Sequence, residues 1–436
     1  MVSAIIHVGS QQQVGYTVCF DGSQSTGRNP MGTDGDIFGI RTHTWIFGDG
    51  SPEKSGEYFG TVTHVYNTPG TYTVTLTVTD YAGRSARTSK SVTVKTLPKV
   101  TVTSKSTSAI VSAISSLNGK PGIVYIPAGS YPITSTITIP ANTIIEGAGM
   151  ANTRIYTSSS NIFLIGGNNV RIMGSEIHGP GKDYNSILSY GKKNLYVDHC
   201  NMHSLYSGNW LNRYASSTFE HNIIHDFRGP NGYGIVTTSG AYSMARHNTF
   251  YDSWHSMSSG GSGGESGWNT GYDSISNLMY EVSYSGGLHM ESHAGSQGRI
   301  RICDNVFKNT GYAVGLTDGW GEIRRNKFEN VYGYICKFNK PIRSATGTWV
   351  LPGLHDFYID HNTITNCGVN YRIYWGENIY INCRKIDSLI PFEGNAPWDD
   401  CVAAYGTISG TVTDKYAGLG ISGFKITANG HETTTE

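Results

Sequence analysis

The stretch F-E-H-N-I-I at residues 219–224 places an asparagine three residues after one apolar side chain and two residues before another. The same arrangement, in which an apolar or small residue stands three positions before the asparagine, recurs four times. The segments are A-R-H-N-T-F (245–250), I-C-D-N-V-F (302–307), I-R-R-N-K-F (323–328) and I-D-H-N-T-I (359–364). The intervals between the asparagines are 26, 57, 21 and 36 residues, and the interval of 57 divides into two repeats. Repeats of this length are typical of a solenoid. We therefore expect Asn222, Asn248, Asn305, Asn326 and Asn362 to form a ladder of hydrogen-bonded amides.

The composition favours an all-β chain with more than one domain. The 436 residues include 55 glycines and 28 tyrosines, and only 15 % are charged. Such a composition is typical of strands and turns, and the length exceeds a single ordinary core. The 32 acidic and 32 basic residues balance, which argues against nucleic acid as a partner. No apolar run approaches the roughly 20 residues needed to span a membrane.

The cysteines and the chain ends bear on where the protein works. The seven cysteines lack zinc-site spacing, so we expect buried thiols, with a bridge between Cys367 and Cys401 left open. The chain begins on a strand-like stretch and stops within an apparent module after Thr433. We interpret it as an excised, monomeric part of a longer secreted or cell-surface protein.

Residues 1–97 show the alternation of a β-sandwich. The stretch T-Y-T-V-T-L-T-V-T (71–79) alternates apolar residues with threonines, and W-I-F-G-D-G-S (45–51) and H-V-Y-N-T-P-G-T-Y (64–72) supply turns. Together these motifs resemble a PKD domain, which implies an immunoglobulin-like spacer or contact module of extracellular proteins. Its aspartates Asp21, Asp49 and Asp80 leave calcium open as a ligand.

The following segment, residues 98–405, opens with an apolar helical pattern and a strand. S-A-I-V-S-A-I-S-S-L (108–117) precedes G-I-V-Y-I-P-A-G-S-Y (122–131). This order resembles the entrance to a right-handed parallel β-helix of the pectate-lyase-like superfamily. The resemblance implies a substrate groove over the sheet formed by the strands that lie between successive coils. The tail, residues 406–436, is similar to the first half of a carboxypeptidase-regulatory-like β module.

The densest candidate site is G-L-H-M-E-S-H-A-G at residues 287–295. If Leu288 and Met290 point inward, the pleat turns His289, Glu291 and His293 outward. One coil later, about 4.8 Å away, the strand ends in T-D-G (317–319), which includes Asp318. Two carboxyl groups with a histidine nearby satisfy the acid and base requirements of glycosidic cleavage. We therefore predict Glu291, Asp318 and His289 as catalytic residues.

Other residues are candidates for binding the substrate. Two long insertions that follow groove strands each carry a tryptophan suited to stacking on sugar rings, and cations on later coils suit acidic sugars. The candidates are His255, His293, Trp268, Trp349, Lys337, Arg372 and Tyr374. The dipeptides Asp-His, Glu-His and Arg-His that precede the ladder position fall on another sheet. We interpret their side chains as having a structural rather than a catalytic role.

We therefore predict an extracellular polysaccharide-degrading enzyme, with hydrolysis favoured and no obligatory cofactor. A lyase acting on uronates by β-elimination is the first alternative, with His289 or Lys337 as base, and calcium is the ion it would use. The D-P-H motif of the related alginate epimerases is missing, which argues against epimerisation. The second alternative is a non-catalytic adhesin or envelope protein, since β-helices joined to PKD modules are also common in cell envelopes. The architecture loosely resembles archaeal disaggregatase-type surface proteins, which break down an acidic polysaccharide matrix.

Overall fold

The computed structural model describes most of the chain up to residue 394 and two short strands beyond it. The described residues are 1–9, 12–29, 34–37, 39–56, 59–179, 184–205, 207–227, 232–260, 270–280, 288–293, 295–339, 353–374, 377–381, 384–386, 392–394, 425–428 and 431–434. The chain divides into two compact units, and the larger one is Leu97–Cys401. None of the described residues forms a helix long and apolar enough to cross a membrane.

The N-terminal module is a sandwich of two antiparallel sheets, as the alternation predicts. One sheet comprises His7–Val8, Thr17–Asp21 and Thr61–Val65. The other comprises Lys54–Gly56, Ile40–Ile46, Gly70–Asp80 and Ser85–Val94. Trp45 and Phe47 are fully buried between them, and the Trp45 indole N–H donates to the carbonyl of Phe59 at 2.7 Å. The motif residues thus form the core and close the turns.

An α-helix, Thr107–Ser116, covers the first coil of the solenoid. Ser106 caps it by accepting a hydrogen bond from the backbone N–H of Ala109 at 3.2 Å. The buried side chains of Ile110 and Ile114 pack into the same core as the first strands. The helix therefore shields an apolar coil end from water.

The solenoid has three faces, each a sheet of stacked strands, which we call sheets I, II and III. Within the described residues, sheet I is built from Lys99–Thr101, Gly122–Ile126, Thr143–Gly147, Val170–Met173, Leu195–Asp198, Ser216–Glu220, Tyr242–Arg246, Thr270–Ile275, Gln297–Cys303, Gly319–Arg324, Leu354–Asp360, Glu377–Ile381 and Arg384–Ile386. Sheet II is built from Gly129–Ile133, Thr153–Thr157, Glu176–His178, Asn201–His203, Ile223–His225, Thr249–Tyr251, Leu278–Tyr280, Val306–Thr310, Lys327–Val331 and Thr363–Thr365. Sheet III is built from Ile137–Ile139, Phe163–Ile165, Asn185–Tyr190, Ser207–Asn212, Tyr233–Thr238, His255–Gly260, Leu288–Ser292, Tyr312–Leu316, Tyr334–Phe338, Val369–Ile373 and Phe392–Gly394.

Neighbouring strands pair in parallel except at the C-terminal edge. There, Arg384–Ile386 and Phe392–Gly394 pair antiparallel with their neighbours. One continuous apolar core lies inside the three sheets, from Val102 to Ile381. The all-β, parallel β-helix fold expected from the repeats is therefore confirmed.

The predicted asparagine ladder stands at the turn from sheet I to sheet II. Side-chain amides donate along it at 3.0 to 3.1 Å, through Asn222, Asn248, Asn277, Asn305, Asn326 and Asn362. Asn277 was not predicted, and it divides the interval of 57 residues. Each amide from Asn222 to Asn326 also donates to a backbone carbonyl and accepts from a backbone N–H. The repeat is therefore a closed network of buried polar groups.

A second, more exposed ladder lies at the turn from sheet II to sheet III. It consists of Asn309, Asn330 and Asn366, whose amides bond at 2.8 and 2.7 Å. Their φ angles of 50°, 51° and 51° lie in the left-handed region, which asparagine tolerates better than most residues. Asparagine is thus used here for backbone conformation as well as for stacking.

Sheet I carries a buried charge network on the side chains that alternate with its core residues. Opposite charges on neighbouring coils pair throughout it: Arg171 with Asp198, Arg246 with Glu220, Arg299 with Asp273, Arg301 with Glu322, and Arg324 with Asp360. The adjacent turn stacks His199, His221 and His247 at ring spacings of 5.2 Å. These residues pair with one another, in keeping with the structural interpretation of the D-H, E-H and R-H steps.

The described cysteines form no disulfide, and the tail contributes one pair of strands. Cys19, Cys200, Cys303 and Cys336 are buried free thiols, as expected. Cys367 is also a free thiol, and Cys401, its suggested partner, lies outside the described residues. Of the tail, the strands Lys425–Ala428 and His431–Thr434 form an antiparallel pair. Its assignment to a carboxypeptidase-regulatory-like module stays a prediction.

Candidate functional site

The candidate site lies on the outer side of sheet III, around the strand Leu288–Ser292. Met290 is fully buried in the solenoid core, while the Glu291 side chain points away from it and is 15 % exposed. The register places Ser258 on one side of Glu291 and Gly315 on the other. Neighbouring strands stand about 4.8 Å apart, so side chains on adjacent coils can act on the same ligand.

Three polar side chains surround the Glu291 carboxylate. The His293 Nε2 lies 2.8 Å from Oε2 of Glu291, and the Ser258 hydroxyl donates to the same oxygen at 3.1 Å. His255 approaches from the preceding coil, with its Nε2 at 3.5 Å from that oxygen. We call Glu291, His293, His255 and Ser258 the Glu291 cluster. It joins two coils, as the stacking of this sheet predicts.

The tautomer of His255 follows from its second contact. Its Nδ1 lies 3.1 Å from the carbonyl oxygen of Leu288. A carbonyl oxygen only accepts, so Nδ1 carries a proton and neutral His255 presents a lone pair at Nε2. That lone pair faces a carboxylate oxygen, an arrangement that is favourable when a proton is shared between the two groups. With Glu291 ionised and His255 neutral the two acceptors repel one another, so the pair is suited to receive a proton rather than to hold one.

The electrostatics of the cluster favour an ionised Glu291. Burial alone would raise the pKa of Glu291, but the hydrogen bond from His293 and the charges of both histidines bring it below its usual value. The same hydrogen bond raises the pKa of His293, whose side chain is 46 % exposed. Burial lowers the pKa of His255. The site thus holds one carboxylate, one readily protonated imidazole and one imidazole that favours neutrality.

Asp318 lies at the end of the next strand in a closed environment. Its carboxylate accepts backbone N–H groups from Gly295 at 2.8 Å and Gly319 at 2.9 Å, and the residue is 1 % exposed. Burial raises its pKa to about 6 despite these two donors. Asp318 is therefore a carboxyl group poised to hold a proton, but it is enclosed by backbone rather than exposed beside Glu291.

The predicted orientation of His289 is wrong. His289 is fully buried, its Nδ1 bonds to the Ser256 hydroxyl at 2.7 Å, and its ring lies 5.9 Å from that of Phe307 in the core. Burial lowers its pKa to about 3. The strand turns two consecutive residues inward, His289 and Met290, so the simple alternation fails at this point. His289 does not share the outer face with Glu291.

Lys337 and Arg372 occupy the coils that follow, in the same outer row as Glu291. The register runs from Glu291 to Gly315, Lys337 and Arg372 on successive strands. The Lys337 ammonium lies 5.5 Å from the ring of Tyr334 and 5.8 Å from that of Tyr374. Lys337, Arg372 and the predicted Tyr374 therefore lie on one side of the Glu291 cluster, together with Tyr334, which was not predicted.

Comparisons with known proteins address the family and the fold. A family model described as "Rhamnogalacturonase A/epimerase, pectate lyase-like" matches residues 99–333, and a PKD domain model matches residues 5–96. The chain belongs to the pectate-lyase-like rhamnogalacturonase A/epimerase family. A search of curated proteins finds no match.

The similar solved structures differ in how closely they match this pectate-lyase-like chain. A Family 28 exopolygalacturonase of Yersinia enterocolitica is similar with a TM-score of 0.51 and 12 % identity, over 87 % of each chain. The A-module of the Azotobacter vinelandii mannuronan C-5 epimerase matches at a TM-score of 0.34 and 12 % identity, over 61 % of this chain and 90 % of its own. At these identities the exopolygalacturonase supports the fold alone.

Two predicted binding residues of this pectate-lyase-like chain, Trp268 and Trp349, lie outside the described residues. A tryptophan that the prediction overlooked, Trp210, stands in the same outer row as Glu291, beyond Val236 and Ser258. It is partly exposed, and its indole N–H donates to the Thr238 hydroxyl at 3.3 Å. The alternation of N-W-L-N, with Asn209 and Leu211 buried, would have identified it.

No cluster of potential metal ligands occurs among the residues that the structure describes. In the PKD module, the carboxylate of Asp49 bonds to Ser51 and to His64 at 2.6 Å. Asp80 accepts from the backbone N–H groups of Ala82 and Arg84 at 2.9 Å. These contacts already occupy two of the three aspartates considered for calcium.

Proposed function

We propose that this chain is an extracellular enzyme that cleaves glycosidic bonds of an acidic polysaccharide in the groove over sheet III. The observation that carries the proposal is the Glu291 cluster, a carboxylate held between two histidines and a serine on the outer face of the solenoid. Lys337, two strands further along the row, supplies a positive charge for an acidic sugar. Membership of a rhamnogalacturonase A/epimerase family supports a polysaccharide as substrate.

Hydrolysis is the favoured reaction. Glu291, ionised near neutral pH, accepts a proton from the attacking water or attacks the anomeric carbon itself. A second group donates a proton to the leaving oxygen as the glycosidic C–O bond breaks. Asp318, with a pKa of about 6, and His293, with a raised pKa, are the candidates. His293 is the more exposed of the two, whereas Asp318 requires an opening near Gly295.

One observation favours β-elimination as a second candidate. Across the described strands of sheet III from Ile137 to Ile373, Glu291 is the only acidic residue. A lyase needs one base to remove the proton beside a uronate carboxylate and a cation to neutralise that carboxylate. His255 or Lys337 would serve as base, with Arg372 as the neutralising cation. The glycosidic oxygen then leaves and an unsaturated sugar forms.

A glycan panel tests the proposal and separates the two reactions. Polygalacturonate, alginate, rhamnogalacturonan and a glucuronate-containing glycan are incubated with the protein, and reducing ends and ultraviolet absorbance are followed. Reducing ends alone indicate hydrolysis, and both signals together indicate elimination. If no glycan gives either signal, the enzymatic proposal fails and a non-catalytic surface role is favoured.

Glu291→Gln locates the site. We expect turnover to fall by about 10²–10⁴-fold, because an amide cannot act as base or nucleophile. The matched control is Glu329→Gln, a glutamate on sheet II that pairs with Lys327. Wild-type turnover in Glu291→Gln, with the control also active, would place the chemistry elsewhere.

A further inference from the structure

A turn beside the Glu291 cluster contacts the coils on both sides of it. The carbonyl of His293 accepts a hydrogen bond from the backbone N–H of Ser296 at 3.3 Å, which closes the turn. Gly295 has a φ of 87°, in the left-handed region that glycine adopts without strain. We call His293, Gly295 and Ser296 the His293 turn. It carries one member of the Glu291 cluster just beyond the end of a strand.

The preceding coil fixes the backbone of His293 and one edge of its ring. The His293 N–H donates to the carbonyl of Ser259 at 2.8 Å, and the Ser296 hydroxyl donates to the carbonyl of His293 at 2.9 Å. The hydroxyls of Ser259 and Ser296 lie 3.1 Å apart, and both residues are fully buried. A Cβ added to Gly260 would lie 3.3 Å from Cβ and Cδ2 of His293, so the imidazole rests against this glycine.

The following coil holds the same turn through Asp318. The Asp318 carboxylate accepts the backbone N–H groups of Gly295 at 2.8 Å and Gly319 at 2.9 Å. The Ser292 hydroxyl donates to the backbone carbonyl of Asp318 at 2.7 Å and accepts its N–H at 3.2 Å. The residue is only 1 % exposed, so the carboxyl group meets no ligand unless Gly295 moves away. Asp318 therefore ties the His293 turn to the next coil.

His293 presents one ring nitrogen to the carboxylate and leaves the other for a ligand. Its Nε2 lies 2.8 Å from Oε2 of Glu291, and His255 is the other titratable group that faces it. Among the residues that the structure describes, none bonds to Nδ1 of His293, and 46 % of the side chain is exposed. An imidazolium carries a proton on both nitrogens. Protonated His293 can therefore keep Nε2–H on Glu291 and offer Nδ1–H to a ligand.

We propose that Asp318 is a positioning residue and that His293 supplies the proton for cleavage. The inference rests on the proposed function. Through the N–H of Gly295, Asp318 keeps the His293 turn in place, so that Nδ1–H faces the groove. As the glycosidic C–O bond breaks, the Nδ1 proton passes to the leaving oxygen, and Glu291 accepts a proton from the water that attacks the anomeric carbon. Exchange with solvent then returns the proton from Glu291 to Nδ1.

NMR titration of the histidine rings tests the positioning without any substrate. The hydrogen bond with Glu291 raises the pKa of His293 above its ordinary value of 6.5. Asp318→Asn replaces one carboxylate oxygen by an NH₂ group, which cannot accept a backbone N–H. We expect the pKa of His293 to fall toward 6.5, because its turn is released and the imidazolium leaves the carboxylate. The resonance is assigned with His293→Gln.

The matched control for this titration is Asp304→Asn. Asp304 is a partly exposed carboxylate that bonds to Arg325 on the turn between sheets I and II, so the same change of charge and shape occurs away from the groove. The pKa of His293 should keep its wild-type value in this variant.

A second variant keeps the test decisive if Asp318→Asn does not fold, and it removes no charge. Ser296→Ala deletes the hydroxyl that bonds to the carbonyl of His293 and to Ser259. We expect the pKa of His293 to fall here as well, by a smaller amount. Ser217→Ala is the control, because it deletes a buried hydroxyl on sheet I. A wild-type pKa of His293 in folded Ser296→Ala and in any folded Asp318→Asn protein would overturn the positioning role.

Turnover separates His293 from Asp318 as the proton donor. The pH dependence of kcat/KM reports the free enzyme, and the rate falls once the donor has lost its proton. Burial raises the pKa of Asp318 to about 6, against its two backbone donors and the charge of His355, whereas the pKa of His293 lies above 6.5. With the panel glycan that the wild type cleaves, we therefore expect kcat/KM to fall only above pH 6.5.

Two variants complete this measurement. His293→Gln should lower kcat/KM by about 10²–10⁴-fold through loss of the donor. Asp318→Asn should lower it by about 10²-fold, as a displacement of about 1 Å does, and its decline should begin at a lower pH than in the wild type. A wild-type decline near pH 6, or wild-type kcat/KM in His293→Gln, would overturn the donor role of His293.

The two measurements distinguish this inference from the proposed function. A wild type that cleaves no panel glycan overturns the proposed function and the donor role together, while the NMR titrations still decide whether Asp318 positions His293. An active wild type with an unchanged pKa of His293 in the variants overturns the positioning role alone.

Discussion

The outer sides of sheets I and III use charge in opposite ways. On sheet I, opposite charges on neighbouring coils are buried together, as in the pair of Arg299 and Asp273. On sheet III, the described strands from Asn185 to Ser259 carry no acidic or basic residue besides His255. The charged residues Glu291, Lys337 and Arg372 lie on the coils that follow. Charges that neutralise one another hold coils together, whereas charges that are concentrated at one place can act on a ligand.

Breaking a pair on sheet I should have the largest effect on stability. Glu322 is buried, and the guanidinium groups of Arg301 and Arg324 bring its pKa to about 2, against a burial effect that alone would raise it. Glu322→Ala removes the carboxylate that these two cations share, so that Arg324 retains Asp360 and Arg301 retains only the longer contact with Asp273 at 3.7 Å. Breaking a buried pair in this way should cost about 3–5 kcal/mol of unfolding free energy. Urea denaturation followed by circular dichroism measures this loss.

The same substitution on sheet III provides the contrast. Glu291→Ala should destabilise the protein less than Glu322→Ala does, because its closest partner, His293, is 46 % exposed and can be solvated, while it abolishes turnover. A destabilisation of Glu291→Ala as large as that of Glu322→Ala would contradict the division between structural and chemical charges.

The interior of the solenoid should make the protein sensitive to acid. The pKa of buried His289 is about 3 in the folded protein, below the ordinary histidine value of 6.5. Between these values the unfolded chain binds a proton that the folded chain does not, so stability falls as the pH drops below 6.5. At 1.36 kcal/mol per pKa unit, the loss by pH 4 is on the order of 3 kcal/mol.

His289→Phe should reduce this acid sensitivity. The ring would remain near Phe307 in the core without a group that must be charged on unfolding. Urea midpoints at pH 7 and pH 4 measure the slope, with His221→Asn, at an exposed turn position, as control. An unchanged slope in His289→Phe would show that other groups cause the acid sensitivity.

The asparagine ladder should show an intermediate effect on stability without an effect on chemistry. Asn277→Ala removes hydrogen bonds to Ala245, Asn248 and Asn305 and leaves buried backbone groups unsatisfied, which should cost about 2 kcal/mol. Asn366→Gly is the control, because its amide is exposed and glycine accepts its φ of 51°. Calorimetry should show a lower Tm for Asn277→Ala and a kcat close to the wild-type value. Equal Tm values for the two variants would contradict a stabilising role of the buried ladder.

The ladder also shows how far the sequence predicts the fold. Five of its asparagines follow an apolar or small residue by three positions, and this rule is sufficient to identify the solenoid. Asn277 was missed because the position three residues before it holds the polar Ser274 rather than an apolar residue or alanine. The structure gives the reason, since the Ser274 hydroxyl is buried and bonds to both Asn277 and Asn305. A polar residue can replace an apolar one in the core when it joins the ladder, and no single-sequence pattern shows this in advance.

The site was less predictable than the fold for a geometric reason. Strict alternation placed Glu291 outward correctly, but it also placed His289 outward, and the strand turns His289 and Met290 inward together. Asp318 follows the strand, where backbone N–H groups of Gly295 and Gly319 enclose its carboxylate. Local irregularities of this kind depend on neighbouring coils, so they cannot be deduced from the residue spacing of one strand.

The cations of sheet III should have the smallest effect on stability and a measurable effect on the substrate. Lys337→Met keeps the length of the side chain but removes the ammonium, and with it the cation–π contacts with Tyr334 and Tyr374. We expect KM for a uronate glycan to rise about tenfold, equivalent to about 1.4 kcal/mol, with little change in kcat. The rise should shrink at high salt, because screening weakens the attraction in the wild type.

The matched control for this charge is Lys308→Met on sheet II, where the lysine is exposed. It carries the same change of net charge, so an equal rise of KM in both variants would mean that the overall potential of the protein, rather than the groove, attracts the substrate. A rise confined to Lys337→Met places the acidic sugar two strands from Glu291. That outcome would extend the comparison of the two sheets, because the charges gathered on sheet III would then have a function that the paired charges of sheet I lack.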